Sequence, residues 1–264
     1  MSIKPPLINV MEKAARMAAR GLNRDIGEVA NLQVSRKGPA DFVSMADLKA
    51  EKILRTELAK ARPAFGFLLE EGGEVASQDP AGQRWIVDPL DGTTNFLHGI
   101  PHFAISIGVE ERGELIAGLI LAPATDELFW AERGKGAYLN DRRMRVSSRG
   151  RLPDALLSTG IPFHGKGDAP QFSRELNAVM TEVAGIRRFG AAALDLAYTA
   201  AGRYDGFWER GLNPWDIAAG IVLVREAGGM VTDLRGGEAK LDGGEILAAN
   251  AALHAPLLAL LKDA

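Results

Sequence analysis

The chain of 264 residues contains no cysteine. Disulfides and thiolate-held metals are therefore excluded. An excess of one charge is missing too: 31 Lys and Arg stand against 34 Asp and Glu, for a net charge of −3. That balance gives no global basic field for nucleic acid and no strongly acidic tail, so any binding is local. No apolar run approaches the roughly 20 residues of a membrane span. The opening Met1-Ser2-Ile3-Lys4-Pro5-Pro6 lacks the apolar core of a secretion signal. The expectation is a cytoplasmic protein with no membrane contact and no direct nucleic-acid contact. With 47% hydrophobic residues, the chain can bury a sizeable core.

The stretch Trp85-Ile86-Val87-Asp88-Pro89-Leu90-Asp91-Gly92-Thr93-Thr94-Asn95-Phe96 is the most informative. Its apolar, β-favouring start reads as a buried strand that stops near Asp88, because Pro89 and Gly92 break regular structure. Thr93 or Thr94 can cap a short helix ended by Gly99 and Pro101, and the first amides of such a helix attract an anion. Two carboxylates about 4 Å apart repel by roughly 4 kcal/mol at an effective dielectric near 20. A hard divalent cation resolves that repulsion, and oxygen ligands without cysteine suit magnesium. The same Asp-Pro-Leu-Asp-Gly run is also ordinary turn chemistry.

Elsewhere the periodicity predicts an amphipathic helix from Pro6 to about Asp25 and a polar loop or hairpin over Asn31 to Asp41. A second helix follows, with Ser44 as its cap, and ends before Pro63. A strand from Phe65 delivers Glu70 and Glu71 to its end. Strands over Phe103 to Val109, Glu114 to Leu121 and Glu127 to Ala131 follow, then Ala155 to Thr159, a strand through Arg187 to Phe189, and Tyr204 to Trp208 ending at Glu209. A helix carrying Phe172, Leu176 and Val179 and another rich in small residues after Gly190 lie between these. Asn213 caps an almost wholly apolar helix with Pro214 at its first position and Asp216 in its first turn, where the helix dipole favours a carboxylate. Strands at Met230 to Thr232 and Glu245 to Ala248 and a helix from Ala251 to Lys262 close the chain. With no linker or repeat, residues 1–264 read as a single α+β domain.

Asp88-Pro89-Leu90-Asp91-Gly92-Thr93-Thr94-Asn95-Phe96 and Trp215-Asp216-Ile217-Ala218-Ala219-Gly220 resemble the two signatures of the inositol monophosphatase family. The resemblance runs from about residue 8 to the C-terminus and implies the five-layered αβαβα sandwich of the sugar phosphatases. It implies metal ligation by Glu70, Asp88, Asp91, Asp216 and the Leu90 carbonyl, with about two or three Mg2+ ions. Glu70 and Thr93, with Asp47 behind Thr93, would orient the attacking water. Asp91, Gly92, Thr93 and Thr94, with Gly190, Ala191, Ala192 and Glu209, would bind the substrate, and Lys37 stands at the family's lysine position. Ala191 stands where Ser or Thr is common, which bears on inositol preference more than on hydrolysis. Each residue also has a plainer reading: turn formation for Asp88 and Asp91, dipole capping for Asp216, a solvated strand end for Glu70, the acidic face of a helix for Asp47 and a surface charge for Lys37.

The implied reaction is hydrolysis of a phosphate monoester, with inositol 1-phosphate the leading candidate. Fructose 1,6-bisphosphate, a nucleotide 3′-phosphate and histidinol phosphate are alternatives. A homodimer and lithium sensitivity are implied as well. Leu194-Asp195-Leu196-Ala197 and Phe207-Trp208-Glu209 fit a bacterial branch whose members partner the transcription machinery, which leaves RNA polymerase or a transcription factor as a rival partner. Gly160-Ile161-Pro162-Phe163-His164-Gly165-Lys166-Gly167 nearly spells a nucleotide-binding P-loop, but it lacks the closing Ser or Thr and opens no strong helical run. Gly99 and Pro101 keep His98 and His102 from forming a zinc pair on one helix face.

Overall fold

The computed structural model describes residues 4–26, 34–36, 42–163 and 165–264, with the backbone alone described at 34–36 and 42–44. Lys37 and His164 lie outside the described residues, as does the proposed capping side chain of Ser44. The first outer layer is α1 (Pro6–Asp25) packed on α2 (Met45–Ala61). Pro6 fits the first helical turn because its missing N–H has no partner there anyway. Between the two helices, β1 (Val34–Arg36) and β2 (Phe42–Ser44) pair antiparallel, in agreement with the expected hairpin.

The second layer is an eight-stranded sheet built from β3 (Gly66–Leu69), β4 (Gly73–Val75), β5 (Arg84–Asp91), β6 (Ala104–Glu111), β7 (Glu114–Ala122), β8 (Glu127–Glu132), β9 (Gly136–Leu139) and β10 (Arg142–Met144). Its order is β10-β9-β8-β7-β6-β5-β3-β4, and the β3–β5 pair is parallel. A short helix α3 (Thr93–Leu97) follows β5. The other sheet contains β11 (Leu156–Thr159), β12 (Gly185–Arg187), β13 (Gly206–Arg210), β14 (Met230–Thr232) and β15 (Glu245–Ala249), in the order β12-β11-β13-β15-β14. Between the sheets lie α5 (Ala192–Ala200) and α6 (Pro214–Glu226), and beyond the second sheet lie α4 (Ala169–Met180) and α7 (Ala251–Lys262).

Three apolar clusters cement these layers. One joins α1 and α2 to the large sheet through residues such as Met11, Leu54, Trp85 and Ile107. A second fills both sides of α5 and α6 with Ile120, Phe129, Leu196, Phe207 and Ile221. The third seats α4 and α7 against Trp208 and Leu247. The layers therefore read α, β, α, β, α, the architecture that the family resemblance implies. Buried on both sides, α6 has no polar stripe from Ile217 to Val224.

Three expectations need correction. The strand expected to stop near Asp88 runs to Asp91, because its register against β6 slips: Asp88 faces Ser106 while Asp91 faces Ala104. Three residues on β5 therefore span two on β6, a bulge that accommodates Pro89. The cap of α3 is Gly92 at φ 89°, with no side-chain cap bond, so neither threonine caps it. The strand placed at Arg187 to Phe189 covers only Gly185–Arg187. The short strands β4, β9 and β10 went unpredicted because three or four residues carry too little periodicity to register.

Gly108 and Gly118 let α6 approach the sheet closely. A Cβ on Gly108 would stand 2.9 Å from the Ala218 Cβ, and one on Gly118 would collide with the Ala219 carbonyl oxygen. Gly118→Ala is expected to cost about 3 kcal/mol, at the upper end of overpacking, lowering the midpoint of thermal unfolding by roughly 6–12 °C. A midpoint equal to that of the parent protein would show that α6 does not depend on this approach.

Candidate active site

The bulge in β5 decides the chemistry. In a regular strand, residues three apart point to opposite faces. The extra residue between Asp88 and Asp91 cancels that alternation and turns both acids toward one cleft. Asp88 is 2% exposed, and its Oδ1 accepts the Leu90 N–H at 2.9 Å. Glu70 follows β3, the parallel neighbour of β5, and its N–H donates to the Val87 carbonyl at 3.3 Å. Ser106, opposite Asp88, donates its hydroxyl to the Trp215 carbonyl at 3.2 Å, which pins the start of α6 beside the acids. There Asp216 accepts the Asn213 N–H at 2.7 Å, the predicted capping position.

These placements show in the electrostatics. Burial pushes the Asp88 carboxyl well above the ordinary range, and Glu70, Asp91, Asp216 and Asp47 push it further. Asp91 is raised by burial, then by Asp216, Glu209 and Glu70, while the Ala193 N–H that it accepts at 2.7 Å pulls the other way. Between them, Asp88 and Asp91 thus feel four acids from four further segments, Asp47, Glu70, Glu209 and Asp216. Among the described residues, no three His, Asp or Glu side chains stand close enough together to hold a metal ion as they are placed. What the acids share is mutual repulsion in a cleft where Asp88 and Asp47 are buried and Glu70, Asp91 and Asp216 half-buried, and the opposite charge that relieves it is a hard cation on oxygen donors.

Thr93 donates to the Leu90 carbonyl at 2.9 Å and lies 3.4 Å from an Asp47 oxygen on α2, which is itself 1% exposed. Gly92 admits nothing larger, since a Cβ there would stand 3.0 Å from the His102 carbonyl and 3.3 Å from the Ala191 Cβ. Ala191 is the N-cap of α5 and offers no side-chain cap. The helix end is instead capped across the cleft by Asp91 through Ala193, so an acid from the first signature supplies the acceptor that Ala191 lacks. Gly190 (φ 81°) and Ala192 flank it. On β13, burial and then Asp216 push Glu209 up to about 8, against the pull of Arg188 and Lys166.

Three contributors had no site role assigned from the sequence, although Asn95 lies inside the first signature and Asp195 inside the Leu194 to Ala197 segment. Asn95 donates its side-chain amide to the His102 and Phe189 carbonyls, both at 2.8 Å, joining α3 to the segment before α5. Glu51 on α2 accepts the Glu71 N–H at 2.8 Å and holds the turn after Glu70. Asp195, 1% exposed on α5, is raised well above the usual range by burial, then by Glu209 and Asp91. Glu74 is exposed and pairs with Arg84 at 2.8 Å. His102 packs at a tilt against Phe189, 5.1 Å between ring centroids, and His98 ends α3, so neither builds a zinc pair.

Two sheets sandwiching a helix pair, with an acidic cleft where a bulged strand meets a helix N-terminus, are the frame of the sugar phosphatases. Residues 4–264 match the inositol monophosphatase family, and the chain belongs to that family. An inositol-1-monophosphatase of Rhizobium meliloti (strain 1021) is 61% identical over 244 residues, 92% of this chain and 91% of that protein. The Nus factor SuhB of Escherichia coli (strain K12) is 42% identical over 98% of this chain and 96% of its own length. The crystal structure of extragenic suppressor protein suhB from Bartonella henselae superposes with a TM-score of 0.94 at 58% identity, covering 98% of this chain and 99% of that one.

A carboxyl held neutral by its surroundings favours the folded state below its raised pKa, and that benefit fades as pH climbs from the ordinary carboxylate range through the raised value. Without metal, Asp88→Asn keeps an acceptor for Leu90 and removes the cost of ionisation. It is expected to melt above the parent at pH 8 in chelator by about 2–4 °C for each kcal/mol relieved, with the gap closing near pH 4. An unchanged difference between the two pH values would remove Asp88 from the repelling set.

Proposed function

We propose that this protein is a magnesium-dependent phosphate monoesterase, with inositol 1-phosphate as its leading substrate. The observation that carries the reading is the gathering of Glu70, Asp88, Asp91 and Asp216 from three segments into one acidic cleft, with Asp88 buried and the other three half-buried. All four are hard oxygen donors, and none can balance a phosphate alone, so the set fits magnesium; the Leu90 carbonyl is the fifth donor. When bound, the metal supplies positive charge for the phosphate and lowers the pKa of water.

The remaining steps belong to the chain. The only hydroxyl proton of Thr93 is committed to the Leu90 carbonyl or to Asp47, so its lone pairs are free to accept from water. Glu70 and Thr93 orient that water, with Asp47 fixing the threonine, and Gly92, Thr93 and Thr94 hold the phosphate by their amides. Water oxygen bonds to phosphorus as the ester P–O bond breaks, and the alcohol leaves with a proton. Glu209 accepts a hydroxyl of that alcohol, and Gly190, Ala191 and Ala192 line its path. This reading treats the chain as one unit acting in the cytoplasm as a lithium-sensitive homodimer. No described helix is long and apolar enough to cross a membrane.

A second reading, a role as a partner of RNA polymerase or its factors, is favoured by 42–44% identity to several proteins named Nus factor SuhB. The two readings separate experimentally. Phosphate release from inositol 1-phosphate is expected only with magnesium, and Asp91→Asn and Asp216→Asn each lower kcat/KM by about a hundredfold. Undiminished turnover in both variants would sink the hydrolase reading, whereas retention of RNA polymerase by the same inactive variants would support a binding role.

A further inference from the structure

The near-P-loop at Gly160 to Gly167 closes as a tight turn, because Phe163 and Lys166 exchange backbone hydrogen bonds at 3.1 and 2.8 Å. It flanks Glu209 in one groove and builds no phosphate cradle. The group that bears on the chemistry without a part in it so far is Glu51. It lies on α2 four residues after Asp47, so the two acids share one face of the helix, roughly 5–6 Å apart at their Cβ atoms. Both are buried, Asp47 at 1% and Glu51 at 7% exposure. A carboxylate on a buried helix face costs free energy unless its hydrogen bonds are made.

The Glu51 bond falls one residue beyond Glu70. Its Oε2 accepts the Glu71 N–H at 2.8 Å. A Cβ on Gly72 would stand 3.0 Å from its Oε1, so the carboxylate sits directly against the turn. That turn has little else to fix it. It joins β3 to β4, with Leu69 opposite Gly73, and β4 is the exposed edge strand of the large sheet. The Glu70 N–H is held on the other side by the Val87 carbonyl at 3.3 Å. One helical turn away on α2, Asp47 lies 3.4 Å from the Thr93 hydroxyl.

We infer that Glu51 is a positioning residue for the hydrolysis: it fixes Glu70 through the Glu71 amide while Asp47 fixes Thr93. One turn of α2 thereby sets the spacing of the two groups that orient the attacking water. Glu51 touches neither water nor substrate, and its part is played through the backbone of the turn. The inference rests on the phosphatase reading and adds a residue outside both signature runs to its machinery.

The test measures phosphate release from inositol 1-phosphate, and separately the magnesium half-saturation read from the rise in the thermal unfolding midpoint with added magnesium. Glu51→Ala is expected to lower kcat about tenfold and to raise the magnesium half-saturation about tenfold, the scale for a group that orients a ligand. KM stays within about twofold, since the amides of Gly92 to Thr94 hold the phosphate independently. Glu51→Gln keeps the length and one acceptor oxygen, and it recovers most of both losses. Leu58→Ala hollows the same helix two turns further on, lowering the unfolding midpoint but moving neither kcat nor the magnesium half-saturation. Should Glu51→Ala not fold, Glu51→Met keeps the bulk without an acceptor and takes its place against Glu51→Gln. Parental values in the variant lacking the acceptor, equal losses in Glu51→Gln, or the same losses in Leu58→Ala overturn the positioning role and leave the phosphatase intact. Failure of the unaltered protein to release phosphate faults the underlying phosphatase reading, and this inference with it.

Discussion

Repulsion among buried carboxylates is the constraint on which this molecule turns. Asp88 is nearly inaccessible and feels Glu70, Asp91, Asp216 and Asp47 at once. Such a cluster works against folding when it is ionised, so the surrounding structure has to over-determine it. The three apolar clusters that bind the five layers provide that surplus, and they hold Asp88 and Asp91 on β5, Asp47 on α2 and Asp216 on α6, with Glu70 on the turn directly after β3.

The backbone converts this constraint into a site. The bulge between Asp88 and Asp91 defeats the alternation of the strand, Gly92 carries the chain into α3 with a positive φ, and Ser106 anchors the start of α6. Asp91 serves twice, as a member of the acid cluster and as the cap of α5 through Ala193. The acid cluster and the start of α5 are therefore mechanically joined. Asn95 adds a second link by bonding the carbonyls of His102 and Phe189.

Long elements were legible from local chemistry. The helix from Pro6, the capped helix at Asn213 and the longer strands of the large sheet announce themselves through periodicity, caps and breakers, and their bounds agree to within a few residues. Short strands and the path through Pro89 were not, since a proline reads as a stop unless the partner strand is known to slip. The roles of Glu51, Asn95 and Asp195 also went unread, though the last two stand inside segments singled out in the sequence. Each sits on an ordinary helix, and its role comes from a residue distant in sequence.

The sequence by itself determined the inventory: oxygen donors without thiols, a balanced charge, two signature runs, and helices and strands whose apolar faces require partners. Only the tertiary structure decided that Asp88 and Asp91 face the same way, that Asp216 arrives beside them, and that the turn at Phe163 flanks Glu209. The reason is physical. Composition and periodicity are local properties of the chain, whereas a bulge register, a helix pressed onto glycines and the mutual repulsion of buried acids exist only once distant segments share one space.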